Sequence, residues 1–133
     1  MRIVLSAVVI LVIAAVTRAD DLPIGRFKGE SYEGWTVEGE AFKPGPVSGD
    51  MLTKLEIENA TDGWAVASSE VHGDGPTGTL TSPPFKVERK FIAFTIAGGN
   101  YERHTCINLL IDGRIVRSAT GYRGKVLLYR WRP

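Results

Sequence analysis

Asp112-Gly113, set between two runs of strand-forming residues, constrains this chain more than any other feature. Cys106 to Ile111 and Arg114 to Ala119 are rich in β-branched and aliphatic side chains, and only those two residues separate them. Such a connection takes a type I′ turn, in which both central residues have positive φ, and Asp-Gly is one of the pairs that tolerates it. The turn fixes the register of the strands it joins. It predicts Ile111 opposite Arg114, Leu109 opposite Val116 and Ile107 opposite Ser118 on a largely aliphatic side that should face a core. On the other side it predicts Leu110 opposite Ile115, Asn108 opposite Arg117 and Cys106 opposite Ala119.

The rest of the chain reads the same way. No long segment has helical period; short extended runs alternate with turn punctuation. Trp35 to Phe42 is a strand candidate, with Trp35, Val37 and Ala41 on one face and Thr36, Glu38, Glu40 and Phe42 on the other. Lys43-Pro-Gly-Pro46 ends it, because proline cannot continue a ladder. Leu52 to Ile57, Trp64 to Ser69, Thr77 to Thr81 and Phe85 to Val87 are weaker candidates, and Phe91 to Ile96 is strongly β-favouring. Many short strands with regular turn signals indicate an all-β, jelly-roll-like antiparallel β-sandwich.

The first residues form a processing signal. Arg2 supplies a positive start, Ile3 to Val16 is almost unbroken apolar sequence, and Thr17-Arg18-Ala19 fits a small-x-small cleavage site. The apolar run is short against the ~20 residues of a membrane span, with an uncleaved anchor or a buried helix as the alternatives. Residues 1–19 are thus expected to be a signal peptide and residues 20–133 one β-sandwich domain that begins at Asp20, secreted or held at the cell surface or in the periplasm. Cleavage leaves about 114 residues, enough for a single modest domain. It also removes Arg2 and Arg18 from 16 basic residues that stand against 15 acidic ones, so the two signs nearly cancel. That balance, without a basic patch, points away from nucleic acid, and no membrane partner is expected after cleavage. The single cysteine, Cys106, cannot form an intrachain disulfide, so the domain must rest on its hydrophobic core or on a metal. As a small strand residue Cys106 needs no redox role.

Catalytic templates are absent. His72 and His104 belong to no metal-ligand spacing, and there is no nucleophile elbow, P-loop or dinucleotide fingerprint. No metal or other cofactor is expected, and Asp74 in His72-Gly-Asp-Gly75 reads as a turn residue before it reads as a calcium ligand. Glu38 and Glu40, two apart on a strand, would sit ~6.5–7 Å apart on one face. That overlaps the separation of glycosidase acid pairs. Solvent-facing strand acids are the plainer reading, and a carboxylate that binds a sugar hydroxyl is a third. Gly98 to Thr105 has the composition of a recognition loop: Asn100, Tyr101, Glu102, Arg103 and His104 offer donors, acceptors and one aromatic platform between rigid strands. A solvated hairpin connection would look the same.

Four blocks in order go further: Trp35-Thr-Val-Glu-Gly-Glu-Ala-Phe42, Thr77-Gly-Thr-Leu-Thr-Ser-Pro-Pro-Phe85, Glu88-Arg-Lys-Phe-Ile92 and Thr105 to Gly121. They resemble the β-sandwich accessory module of levanases, the fructan-cleaving enzymes of glycoside hydrolase family 32, which is similar to family 66 carbohydrate-binding modules. The resemblance runs from about Phe27 to Gly121. It implies a jelly roll that binds the terminal fructose of levan-type polysaccharide without cleaving it. By motif position it implies sugar contacts from Glu40, the Gly98-Gly99-Asn100 loop and Arg117. Tyr101 from the loop and Asn108, placed opposite Arg117, complete the candidate set. Ala97 stands where the family usually has glycine, Tyr101 where histidine is common, and Arg26 where an acid is frequent. The W-x-N-D-P-N-G motif of the levanase catalytic propeller does not occur in the sequence. The resemblance therefore implies a secreted, non-catalytic carbohydrate-binding module. The alternatives are a cell-surface structural or protein-interaction sandwich, or a fragment of a larger secreted glycoside hydrolase.

In the resembling modules the chain continues beyond Ala-Thr-Gly through a closing strand, whereas here Tyr122 to Pro133 departs from that pattern. The expectation is a truncated or frameshifted copy that lacks its C-terminal strands, with a last strand only partly paired. The alternative is that Lys125 to Trp131 substitutes for the lost strand.

Overall fold

A computed structural model describes residues 20–51, 65–123, 125 and 127–132. The expected signal peptide, the strand candidate Leu52 to Ile57 and Trp64 lie outside the described residues. The fold is all-β and antiparallel, with six strands among the described residues: β1 (Thr36–Gly39), β2 (Gly78–Thr81), β3 (Ile92–Ile96), β4 (Cys106–Ile111), β5 (Arg114–Thr120) and β6 (Leu127–Trp131). One 3-10 turn, Glu70–His72, precedes β2. Among the described residues no helix is long and apolar enough to cross a membrane. The strands pair as three two-stranded ribbons, β1 with β2, β3 with β6 and β4 with β5. The β4–β5 hairpin is therefore nested in sequence between the two strands of the β3–β6 ribbon.

The turn chemistry holds: Asp112 has φ 50° and Gly113 φ 72°, both in the left-handed region that a type I′ turn requires. Ile111 pairs with Arg114 and Leu110 with Ile115, as the turn dictates. Beyond them the register departs from the expected one. A bulge leaves Val116 without a partner, and Leu109 pairs with Arg117, Asn108 with Ser118, Ile107 with Ala119 and Cys106 with Thr120. The expected Asn108–Arg117 pair does not exist. The one-residue slip sets buried Ala119, rather than Ser118, opposite Ile107, and Arg117, rather than Val116, opposite buried Leu109. Arg117 donates through Nη1 to the carbonyl of bulged Val116 at 2.9 Å.

β1 is shorter than the expected Trp35 to Phe42 strand. Gly39 has φ 75°, and both Glu40 and Ala41 donate to the Thr77 carbonyl, at 3.0 and 3.2 Å, instead of continuing the ladder. The alternation therefore breaks at Gly39, and Phe42 packs on the core rather than facing outward. Of the expected Trp64 to Ser69 strand, the described residues Ala65 and Val66 make isolated bridges, to Phe27 and Val47, and Phe85 to Val87 joins no strand. At the other end β6 pairs with β3 along its whole length, from Ile92 opposite Trp131 to Ile96 opposite Leu127. The expected partial pairing is corrected: Phe94 stacks on Tyr129 at 5.4 Å and meets Trp131 edge-on at 4.5 Å, contacts that favour the full ladder.

The core gathers on the first ribbon. Buried Phe27, Tyr32 and Ala65 are packed by Trp35, Val37, Phe42, Ala67 and Leu80. Phe27 meets Tyr32 and Trp35 edge-to-face at 5.0 and 5.4 Å. The Tyr32 hydroxyl is buried with no hydrogen-bond partner, and burial pushes its phenol above the ordinary tyrosine value. In the hairpin Leu109 is 7% exposed, whereas Leu110 is 54% exposed.

Two outcomes test this packing. Leu109→Ala should destabilise by about 2–5 kcal/mol in urea unfolding, and Leu110→Ala by no more than about 0.5 kcal/mol. Tyr32→Phe removes a hydroxyl that has lost water without gaining a partner, so at neutral pH it should be neutral or stabilise by about 1 kcal/mol. A raised phenol pKa favours the folded state below pH ~10, and that contribution is lost as pH climbs through the folded value. Unfolding measured from neutral pH to above ~10 should therefore show a smaller alkaline loss for Tyr32→Phe than for the unaltered protein.

Candidate functional site

The β3–β4 connection is the best-organised exposed loop. Gly98 has φ 126° at the exit of β3, and its backbone lies against Gly121 at the end of β5: a Cβ on Gly121 would fall 2.7 Å from the nitrogen and oxygen of Gly98. Glycine is thus required at 121 by the close approach of two backbones. The Tyr101 ring folds over Gly99, where a Cβ would meet Cδ2 at 2.8 Å. Tyr101 nevertheless leaves 67% of its surface to solvent. Its carbonyl accepts from the backbone N–H of His104 at 3.1 Å and of Thr105 at 2.9 Å, which closes a turn containing Arg103 at φ 69°.

Thr120, the last residue of β5, fastens this loop. Its Oγ1 lies 3.0 Å from Asn100 Oδ1 and 3.0 Å from the Gly121 carbonyl oxygen. The Thr120 carbonyl in turn accepts from the Tyr129 hydroxyl of β6 at 3.2 Å. One residue therefore connects the loop, the hairpin and the C-terminal strand. The result is a solvent-facing arc of amide, phenol, carboxylate, guanidinium and imidazole groups (Asn100 to His104) on a backbone pinned at both ends.

Of the residues expected to contact sugar, four lie together in this loop. Gly98, Gly99, Asn100 and Tyr101 form the loop, and Asn108 lies on the hairpin face that also carries Ser118 and Thr120. Arg117 is exposed but sits opposite Leu109, on the other face, bonded to the Val116 carbonyl. Glu40 follows the end of β1, where its Oε1 pairs with Lys43 Nζ at 2.7 Å. No hydrogen bond or ion pair among the described residues joins it to the loop. Glu38 accepts from Thr79 Oγ1 at 3.2 Å, so the two acids end in separate local contacts with the Gly39 bend between them.

Thr120, Gly121 and Tyr129 are not among the residues that the sequence singles out for sugar contact. Thr120 and Gly121 are visible as the end of the Ala-Thr-Gly block; Tyr129 carries no local signal, since its role depends on the β3–β6 pairing. His72 donates from Nε2 to the Lys43 carbonyl at 2.8 Å, a structural bond. Among the described residues no three His, Cys, Asp or Glu side chains gather as metal ligands would. A separate concavity of about 180 Å³ lies over Pro23, Ile24, Gly25, Arg26, Phe27, Glu33 and Trp35, and it includes none of the expected site residues.

No protein-family model matches the chain, and no solved structure matches it. Over 107 residues, 78% of the chain, it is 32% identical to an Aspergillus rugulosus protein named "Putative glycosyl hydrolase ecdE". The chain spans 15% of that protein's length, so it is similar to one segment of a much larger protein that bears a glycosyl hydrolase name.

Proposed function

We propose that this chain is a secreted carbohydrate-binding β-domain, non-catalytic by itself, of the kind that accompanies a glycoside hydrolase. The polysaccharide class it suits is fructan, levan first. The observation that carries the proposal is the Gly98–Thr105 loop: an exposed aromatic ring beside an amide that Thr120 holds in place. Sugars are recognised by a few fixed polar groups beside an apolar surface that covers C–H bonds. The levanase-module wording of the sequence and the likeness to a glycosyl hydrolase segment support the same reading. The apolar leader supports export, and Glu38 and Glu40, each engaged separately, support binding without cleavage.

One structural feature favours a protein-facing role instead. Leu110 and Ile115, paired on one face of the hairpin, are 54% and 61% exposed, more than a solvated face needs. That surface could serve a neighbouring domain in a longer hydrolase.

Calorimetric titration of the purified chain with levan, inulin and fructose tests the proposal. Binding to levan is expected, with no release of reducing sugar. Asn100→Ala removes the held amide and Thr120→Val removes its tether; each should weaken binding about tenfold, the loss of one hydrogen bond, while the thermal transition of Thr120→Val falls only modestly. Full affinity in both variants, or no affinity for any of the three ligands, overturns the proposal.

A further inference from the structure

The concavity over residues 23 to 35 is built differently from the loop and is used by none of the residues discussed for it. Its rear wall is Phe27 and Trp35, whose rings meet edge-to-face at 5.4 Å. Trp35 lines the concavity and is only half-buried. Gly25 keeps the near side clear: a Cβ there would fall 2.7 Å from Trp35 Cζ2. On the rim, exposed Glu33 is held at φ 42°, a conformation that costs a glutamate and that glycine would adopt freely. Such strain persists where the surroundings enforce it, and it is concentrated at binding positions. Behind Phe27, at 5.0 Å, stands Tyr32 with its unpartnered hydroxyl.

We infer that this concavity is a sugar subsite that takes a single ring, its C–H face against the Trp35 indole and its hydroxyls donating to the Glu33 carboxylate. The chemistry follows from the walls. An aromatic surface together with a carboxylate acceptor suits a neutral polyol with one apolar face. The volume of about 180 Å³ lies below the ~300–1,000 Å³ of sites for drug-sized molecules, which limits the occupant to one small ring. The subsite lies beside the β1–β2 ribbon and the loop beside the β3–β6 ribbon. The inference deepens the carbohydrate reading and rests on it.

The test follows the indole N–H resonance of Trp35, identified by its absence in Trp35→Phe, while the full chain is titrated with fructose and, separately, with levan. Fructose should shift that resonance. Glu33→Gln, which keeps the size of the side chain and leaves the core untouched, should weaken fructose binding about tenfold, as loss of a hydrogen bond to a charged group does. Gly25→Ala should weaken it at least as much by pushing the indole across the opening; if that variant does not fold, Glu33→Gln carries the result. Asn100→Ala should leave the Trp35 shift with fructose in place. If levan or fructose binds, Asn100→Ala weakens that binding and the Trp35 resonance never moves, the subsite is refuted while the carbohydrate reading stands. If neither sugar binds at all, both are refuted.

Discussion

Phe27 is the contact on which the N-terminal half depends. Its ring receives Tyr32 and Trp35 edge-on, and its backbone carbonyl accepts from Ala65 N–H at 3.1 Å. One residue thus ties the strand-free start and the nearby entry to β1 to the return at Ala65, which is distant in sequence. Aromatic edge-to-face pairs add about 0.5–1.5 kcal/mol each beyond burial of area. In a small domain without a disulfide, few residues can hold so much, because most side chains remain near the surface. Val37 and Leu80, partners across the β1–β2 ribbon, pack on the same cluster, so the ribbon and the aromatic group stabilise each other.

The C-terminal half is held by a different device. The β4–β5 hairpin buries little beyond Leu109 and Ala119, and its tip leaves Leu110, Ile111 and Ile115 in water. What locates it is the junction at its base, where Gly98 lies against Gly121 and Tyr129 donates to the Thr120 carbonyl. The β3–β6 ribbon supplies both ends of that junction. Its apolar face of Ile92, Phe94, Ile96, Leu127, Tyr129 and Trp131 is continuous because the pairing is flush over all five positions. Basic side chains gather around the rim, with Lys90 and Arg132 over the Phe91 ring at 5.4 and 5.7 Å.

Local chemistry was legible in the sequence, and long-range consequence was not. Asp112-Gly113 announced its turn, and the β-branched runs announced β3, β4 and β5. The bulge at Val116 was invisible because the turn sets the register only next to itself. Further along, the bulge sets Ala119 opposite Ile107 and Arg117 opposite Leu109, pairings that strict alternation from the turn does not give. Gly39 looked like an interior strand residue, but its close approach to Thr77 ends β1 and sends Glu40 into a local ion pair. The loop residues Gly98 to Tyr101 were found from composition and resemblance together. Their fasteners were not, since Thr120 and Tyr129 meet the loop only through pairings made across the chain. The Phe27, Tyr32 and Trp35 cluster was present as three spaced aromatics, yet spacing alone does not say that a concavity opens beside them.

The Thr120 hydroxyl has one proton and two acceptors at the same distance, the Asn100 side chain and the Gly121 carbonyl. A single rotation about one bond therefore converts the loop between two hydrogen-bonding states. In one the amide is tethered; in the other it is released, and its oxygen is open to another donor, while the hydroxyl stays satisfied by the backbone. Neither state leaves the hydroxyl unpaired, so the exchange needs only the turn of a side-chain rotor, not the movement of a loop. The arc at the β3–β4 connection can in this way trade an internal partner for an external one with its backbone fixed, which removes the ordering entropy that a mobile loop would lose on binding.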